Sequence, residues 1–222
     1  MAAVAPVSVI AVAWWALIAV VFAGGAAMLL TPAGEQVDTY GVPNGLTVLR
    51  AWLCFPLFLC AFLSLPGRLG LVLWGAVGGP VGLFDAVDGF VARRFGMVTV
   101  LGKALDPLMD ALFFIIGAAG SLMLGILPLW LALLIVFRYG APLIGTPIVL
   151  LARRRPELVH TVWGRRNTML TGLVMFVLLL VRVSGGPVET AALIAALPTL
   201  VPTMVLHFVS LARRTALAPV AA

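Results

Sequence analysis

Charge is scarce in this chain. Of 222 residues 10% are charged and 63% are hydrophobic, whereas a soluble domain carries about a quarter charged residues. That shortage excludes a soluble globular protein and leaves no room for a separate soluble domain. Lysine is almost missing: Lys103 is the only one, so the net charge of +6 rests on arginine. No basic run is interleaved with aromatics, which excludes a nucleic-acid surface. The two cysteines, Cys54 and Cys60, share one apolar stretch and read as packing or lipid-facing residues. The two histidines, His160 and His207, have no metal-ligating neighbours in the sequence. Internal repeats, low-complexity tracts and long linkers are lacking as well.

What the chain has is apolar runs long enough to cross a bilayer, about 20 residues each. Seven spans are predicted, at 7–30, 46–65, 69–92, 103–125, 128–151, 166–184 and 189–211. Backbone polar groups in lipid must be satisfied within the segment, so each span is predicted to be a helix. Turn signals separate them, such as Thr31-Pro32-Ala33-Gly34, Pro66-Gly67 and Ser184-Gly185-Gly186-Pro187. The fold class is therefore an all-α polytopic membrane protein. Under alternating threading Arg50, Arg93, Arg94, Lys103, Arg153, Arg154, Arg155, Arg165, Arg166, Arg213 and Arg214 share one side, and Arg68 and Arg182 the other. The positive-inside rule makes the richer side cytoplasmic. Residues 1–6 lack a basic n-region, so the first span is expected to be a retained helix rather than a signal peptide. The six tryptophans, Trp14, Trp15, Trp52, Trp74, Trp130 and Trp163, read as packing or interfacial anchors.

Four of the eight acidic residues fall within positions 85–110, "DAVDGFVARRFGMVTVLGKALDPLMD". At about 100° per residue, Asp85, Asp88, Gly89 and Ala92 form one helical stripe with Arg93 at its edge. Gly102, Asp106 and Asp110 recur every four residues and share a face of the next helix. If the two stripes face each other, four carboxylates meet across a gap lined by Gly89, Ala92 and Gly102. One Asp at mid-helix costs about 2.5–3.5 kcal/mol on insertion scales, so four that repel one another need a counter-charge. Two divalent cations would supply it, and oxygen-only ligands suit Mg²⁺ or Mn²⁺. Arg93 could fork onto phosphate oxygens. A carboxylate not committed to metal could act as general base. The pattern points to metal-assisted phosphoryl chemistry at a membrane surface. The bland alternative is an interfacial salt-bridge network, with Asp106-Pro107 as a helix N-cap and first residue.

The spacing Asp85-x₂-Asp88-Gly89-x₂-Ala92-Arg93-x₈-Gly102-x₃-Asp106-x₃-Asp110 resembles the signature of the CDP-alcohol phosphotransferase family. The resemblance implies a six-helix core over residues 46–211 and one extra N-terminal transmembrane helix. The implied division is 1–34 for that helix and 35–222 for the membrane domain. It implies Asp85, Asp88, Asp106 and Asp110 as ligands of two Mg²⁺ or Mn²⁺ ions, with Asp110 also the catalytic base. "PNGLTVLR", from Pro43 to Arg50, looks like the opening of the family's first core helix. Through it, Asn44 and Thr47 join Gly89, Ala92, Arg93, Thr99 and Gly102 as CDP-lipid-binding residues. Thr99 stands where the family often has Ser. The implied reaction is displacement at the lipid-side phosphorus of CDP-diacylglycerol by an acceptor hydroxyl, with release of CMP. The implied setting is a bacterial inner membrane, with the site facing the cytoplasm. The partners are CDP-diacylglycerol, an alcohol acceptor and membrane lipids, with a homodimer by analogy.

The acceptor is less sharply marked. Arg138 lies inside the fifth span, and an intramembrane Arg is a functional-site hypothesis by default. "WGRRNT" at 163–168 opens the sixth span with Arg165 and Thr168. Together these resemble the phosphatidylglycerophosphate synthase branch, which implies Arg138, Arg165 and Thr168 as acceptor-binding residues and glycerol 3-phosphate as acceptor. Tyr139 and Ala111 depart from that branch, where an acidic residue and a Lys are common, and Arg165 replaces its Lys. Inositol phosphate, or phosphatidylglycerol in a cardiolipin-type reaction, remains as an alternative acceptor. A transporter with an acidic ion site is the non-enzyme alternative, although it would not require the small residues beside the acids.

Overall fold

The computed structural model describes residues 4–31, 34–37, 41–64, 67–95, 99–151 and 161–217. Side chains are described for these except 4–7, 27–28, 42–43, 57–58, 60–64, 83–95, 100, 103–104, 106, 146–151 and 215–217. Among the described residues eight α-helices follow in order: α1 (Val4–Gly24), α2 (Gly41–Ser64), α3 (Arg68–Phe95), α4 (Val100–Met123), α5 (Leu129–Leu151), α6 (Val162–Val183), α7 (Val188–Ala196) and α8 (Leu200–Leu217). No strand longer than the isolated Leu30–Gln36 bridge occurs among the described residues. Large apolar side chains lie on the outside, with Ile144, Met169 and Ile194 69–71% exposed. A water-soluble monomer would not expose so much apolar surface, and lipid explains it.

Each of the seven predicted spans meets helix, but three boundaries shift in ways that matter. α2 starts at Gly41, so Asn44 lies in its first turn instead of ahead of it, one turn before Thr47. α3 runs unbroken to Phe95, so Asp85, Asp88, Gly89, Ala92 and Arg93 all belong to one helix. α4 starts at Val100, which puts Pro107 inside the helix. That overturns the reading of Asp106-Pro107 as a helix start. The residue that caps α4 is Thr99, whose hydroxyl accepts from Gly102 N at 3.1 Å.

The last predicted span is two helices, α7 and α8, bent by 43°. Pro198 and Pro202 each remove a backbone donor around the break. Hydroxyls bond carbonyls beside the break: Thr199 Oγ1 donates to Ala195 O, and Thr203 Oγ1 to Thr199 O at 2.7 Å. Asn167 of α6 adds a bond from Nδ2 to Leu200 O at 3.0 Å. Among the described residues α6 alone is long and apolar enough to cross a membrane unaided, with mean hydropathy 1.6. The α7–α8 pair also passes if taken together.

The chain divides into two compact units, residues 1–117 and 118–222, with α4 running across the boundary. In the first, α1 and α3 both pack on α2. Ile18, Phe22 and Leu29 meet Ala51 of α2 and Leu101, Leu105 and Met109 of α4 in one buried cluster. α2 has a proline inside it, Pro56, which cannot donate to the carbonyl of Trp52 four residues back. An indole fills that role: Trp15 Nε1 donates to Trp52 O at 2.9 Å. Its neighbour Trp14 donates to Ala51 O at 2.6 Å and lies against Phe55, ring centroids 5.3 Å apart. In the second unit α6 packs on both α7 and α8.

Candidate functional site

The polar interior of the first unit is a strip between α2 and α4. Asn44, Thr47 and Arg50 recur every three residues on α2 and are all buried, at 4% exposure each. Facing them on α4 are Thr99, Gly102 and Asp110. Asn44 Nδ2 donates to Thr99 Oγ1 at 3.1 Å, and the Thr99 hydroxyl lies 3.2 Å from Asn44 Oδ1. Six residues further along α2, Arg50 Nη2 donates to Asp110 Oδ1 at 2.8 Å, an ion pair whose side chains are 5% and 20% exposed. Both pairings advance in the same direction along the two helices, so α2 and α4 run parallel. Asp106 occupies the turn of α4 between the two bridges.

Gly102 has a steric reason to be glycine. A Cβ there would come within 2.8 Å of Asn44 Oδ1 and 3.4 Å of Thr99 Oγ1. Its absence lets the two helices approach closely enough for the Asn44–Thr99 bonds. Asn44, Thr99 and Gly102, read from the sequence as CDP-lipid contacts, are thus brought together. Thr47 is buried on the same α2 stripe.

The acids on α3 are fixed at the level of the backbone. Asp85 and Asp88 are one turn apart on an unbroken helix, with Gly89, Ala92 and Arg93 following. Their side chains, and that of Asp106, lie outside the described residues. The chemistry of the donor set can still be tested for fit. Four carboxylates placed i, i+3 on one helix and i, i+4 on the next offer hard oxygens only, which suits Mg²⁺ or Mn²⁺. Asp110, whose side chain is described, bonds Arg50 through Oδ1, and its carboxylate is an oxygen donor of the same hard kind. The residues present fit such an ion.

The second unit has its own buried polar network, built on Arg138, Asn167 and Thr161. Arg138 is 8% exposed. Its Nε donates to Asn167 Oδ1 at 3.1 Å and its Nη2 to Gly164 O at 3.5 Å. The guanidinium carbon lies 4.9 Å from the centre of the Tyr139 ring. Tyr139 in turn donates to Thr168 Oγ1 at 3.2 Å. Asn167 Nδ2 reaches both Leu200 O and, at 2.8 Å, Thr203 Oγ1 of α8. Thr161 caps α6 by accepting from Gly164 N at 2.9 Å, and its hydroxyl lies 2.6 Å from His207 Nδ1. Of the predicted acceptor residues, Arg138 and Thr168 therefore join one α5–α6 network, and Arg165 is exposed at the start of α6. Arg153, Arg154, Arg155 and His160 lie outside the described residues.

Two side chains central to these networks were not singled out from the sequence. Arg50 was counted only as cytoplasmic charge and as the end of "PNGLTVLR", although its i, i+3, i+6 register with Asn44 and Thr47 marks it as facing the same way. Asn167 passed unremarked inside "WGRRNT".

Comparison with known proteins agrees with the sequence pattern. Residues 40–212 match the family model described as CDP-alcohol phosphatidyltransferase. A Mycobacterium tuberculosis protein named "Probable phosphatidylglycerophosphate synthase" is 30% identical over 165 residues, covering 73% of this chain and 76% of the relative. A CDP-diacylglycerol–glycerol-3-phosphate 3-phosphatidyltransferase of Pseudomonas fluorescens is 32% identical over 62% of this chain and 71% of its own length. A Streptomyces coelicolor cardiolipin synthase (CMP-forming) is 37% identical over 68 residues, 31% of this chain and 32% of that protein. No solved structure matches significantly.

Proposed function

The chain belongs to the CDP-alcohol phosphatidyltransferase family, and we propose that it transfers the phosphatidyl group of CDP-diacylglycerol to glycerol 3-phosphate. It is a membrane-integral transferase of phospholipid biosynthesis; the choice of acceptor and the residue roles are the proposal. Membership removes the transporter alternative. The observation that carries the reading of the site is the Arg50–Asp110 ion pair, which aims the last of the four acids into a buried strip shared by α2 and α4.

In this reading Asp85, Asp88, Asp106 and Asp110 hold two Mg²⁺ or Mn²⁺ ions. When bound, those ions neutralise charge on the donor's diphosphate. Asn44, Thr47, Gly89, Ala92, Arg93, Thr99 and Gly102 form the surroundings of the CDP group. Gly102 lets Asn44 and Thr99 close up beside that place, and Arg93 is suited to forked bonding with phosphate oxygens. Arg50 fixes the orientation of the Asp110 carboxylate. Asp110 takes the proton of the acceptor hydroxyl, whose oxygen bonds to the lipid-side phosphorus. The bond from that phosphorus to the bridging oxygen breaks, and CMP leaves with the electron pair. Because a general base typically contributes about 10²–10⁴-fold, turnover should depend steeply on this one carboxylate.

Glycerol 3-phosphate is favoured because relatives named for that reaction or its product are similar over most of their own length. Arg138, Arg165 and Thr168 are the proposed contacts for the acceptor's own phosphate. The shorter likeness to a cardiolipin synthase supports phosphatidylglycerol as a second reading. The setting proposed is a bacterial inner membrane with the site on the cytoplasmic face, which the arginine distribution supports. The test is CMP release by the purified protein with CDP-diacylglycerol and glycerol 3-phosphate, phosphatidylglycerol or inositol phosphate. Activity with glycerol 3-phosphate alone supports the first reading, and activity only with another acceptor replaces it.

A further inference from the structure

α1 lies wholly outside the segment that matches the family, ending at Gly24 where the match begins at residue 40. A helix serving only as an anchor needs nothing but an apolar surface. The inner side of α1 does more. Ala11, Ile18 and Phe22 are buried on it, and beside them half-buried Trp14 and exposed Trp15 send adjacent indole N–H groups onto adjacent carbonyls of α2. Trp15 meets Trp52 O, the carbonyl that Pro56 leaves without its helical donor. Trp14 meets Ala51 O, immediately after Arg50, and Trp14, Arg50, Ala51, Cys54, Met109 and Leu112 line one small gap.

We propose that Trp14 and Trp15 are positioning residues for the reaction: they clamp α2 at its proline break and so hold Arg50 in register with Asp110. Its effect on turnover rests on the reading of Asp110 given above; the clamp itself does not. A proline inside a helix removes the bond that ties one turn to the next, and sharp helix kinks occur at such positions. Arg50 sits two residues before the affected carbonyl, and its 2.8 Å contact with Asp110 tolerates little movement. Misplacement by about 1 Å can cost on the order of 10²-fold in rate. An indole bonded across the break limits that movement, which gives the unmatched helix a part in catalysis.

Packing alone and the clamp make different predictions. Trp15→Phe keeps an aromatic ring and loses the N–H, while Pro56→Ala returns the missing donor to α2. The experiment uses the full chain in lipid nanodiscs, with CDP-diacylglycerol and whichever acceptor of the panel above is active. It reads kcat, KM and the midpoint of thermal unfolding for W15F, P56A and the double variant. The clamp predicts that W15F lowers kcat about five- to tenfold with KM for CDP-diacylglycerol within about twofold. It predicts that the double variant returns to within about twofold of P56A. W14F, whose partner Ala51 O is not the carbonyl orphaned by Pro56, is not rescued by P56A. Wild-type kcat in W15F, or an equal loss in both backgrounds, overturns the proposal. Should W15F fail to fold, recovery of folded protein on adding P56A supports it and no recovery overturns it. D110N is measured in parallel. Full turnover there defeats the Asp110 reading, while rescue of the W15F unfolding midpoint by P56A still tests the clamp.

Discussion

Two buried arginines, one in each unit, keep different company. Arg50 donates to a carboxylate, Asp110, at 2.8 Å. Arg138 donates to an amide oxygen of Asn167 and a backbone carbonyl of Gly164. A carboxylate cancels the charge of the guanidinium beside it; amide oxygens solvate that charge and leave its sign in place. Arg50 is therefore suited to aiming an acid. The Asn167 and Gly164 oxygens solvate the Arg138 guanidinium inside an apolar bundle, and in the proposed reading that group meets the acceptor.

The sharpest way to break this contrast is at its acidic end. Asp110→Asn keeps the shape and removes the proton acceptor, and turnover should fall by about 10²–10⁴-fold while CDP-lipid binding persists. Unchanged CMP release in D110N would leave Asp110 as no more than the partner of Arg50. Next come the arginines. Removing one partner of a buried ion pair destabilises by about 3–5 kcal/mol, because the other charge stays behind. Losing hydrogen bonds to neutral oxygens costs about 1–3 kcal/mol. Thermal or denaturant unfolding in detergent should therefore show Arg50→Gln losing about 3–5 kcal/mol, and a loss no larger than that of a neutral hydrogen bond would erase the distinction. Asn167→Ala leaves Leu200 O, Thr203 and Arg138 each short of a bond, with an expected loss of about 1–3 kcal/mol. A rise in KM for the acceptor with kcat preserved would show in addition that Arg138 has been displaced. The smallest effect belongs to Thr161→Ala, which removes the α6 cap and the His207 contact at about 1 kcal/mol, read as a lower unfolding midpoint.

Much of this was legible from the residues. The helical identity of each apolar run and the acid stripes of α3 and α4 follow from composition and period, which are local properties. The family followed from the same 26 residues, 85–110. The missed features are pairings across distance. Arg50 meets a residue 60 positions away and Trp15 one 37 positions away, and no local period reports either. The break between α7 and α8 hid because a run of apolar residues averages over Pro198 and Pro202. Its stability depends on hydroxyls and on Asn167 from another helix. Thr99 has a structural part that the resemblance did not report. Its hydroxyl was assigned by resemblance to a ligand, and in the structure it also caps α4 and bonds Asn44.

The parallel course of α2 and α4 has one more consequence. Both helices begin on the same side of the first unit, and the peptide dipoles of each sum to roughly half a positive charge at that end. Neither first turn contains an acidic residue to offset it. An anionic headgroup approaching from that side meets two aligned backbone fields.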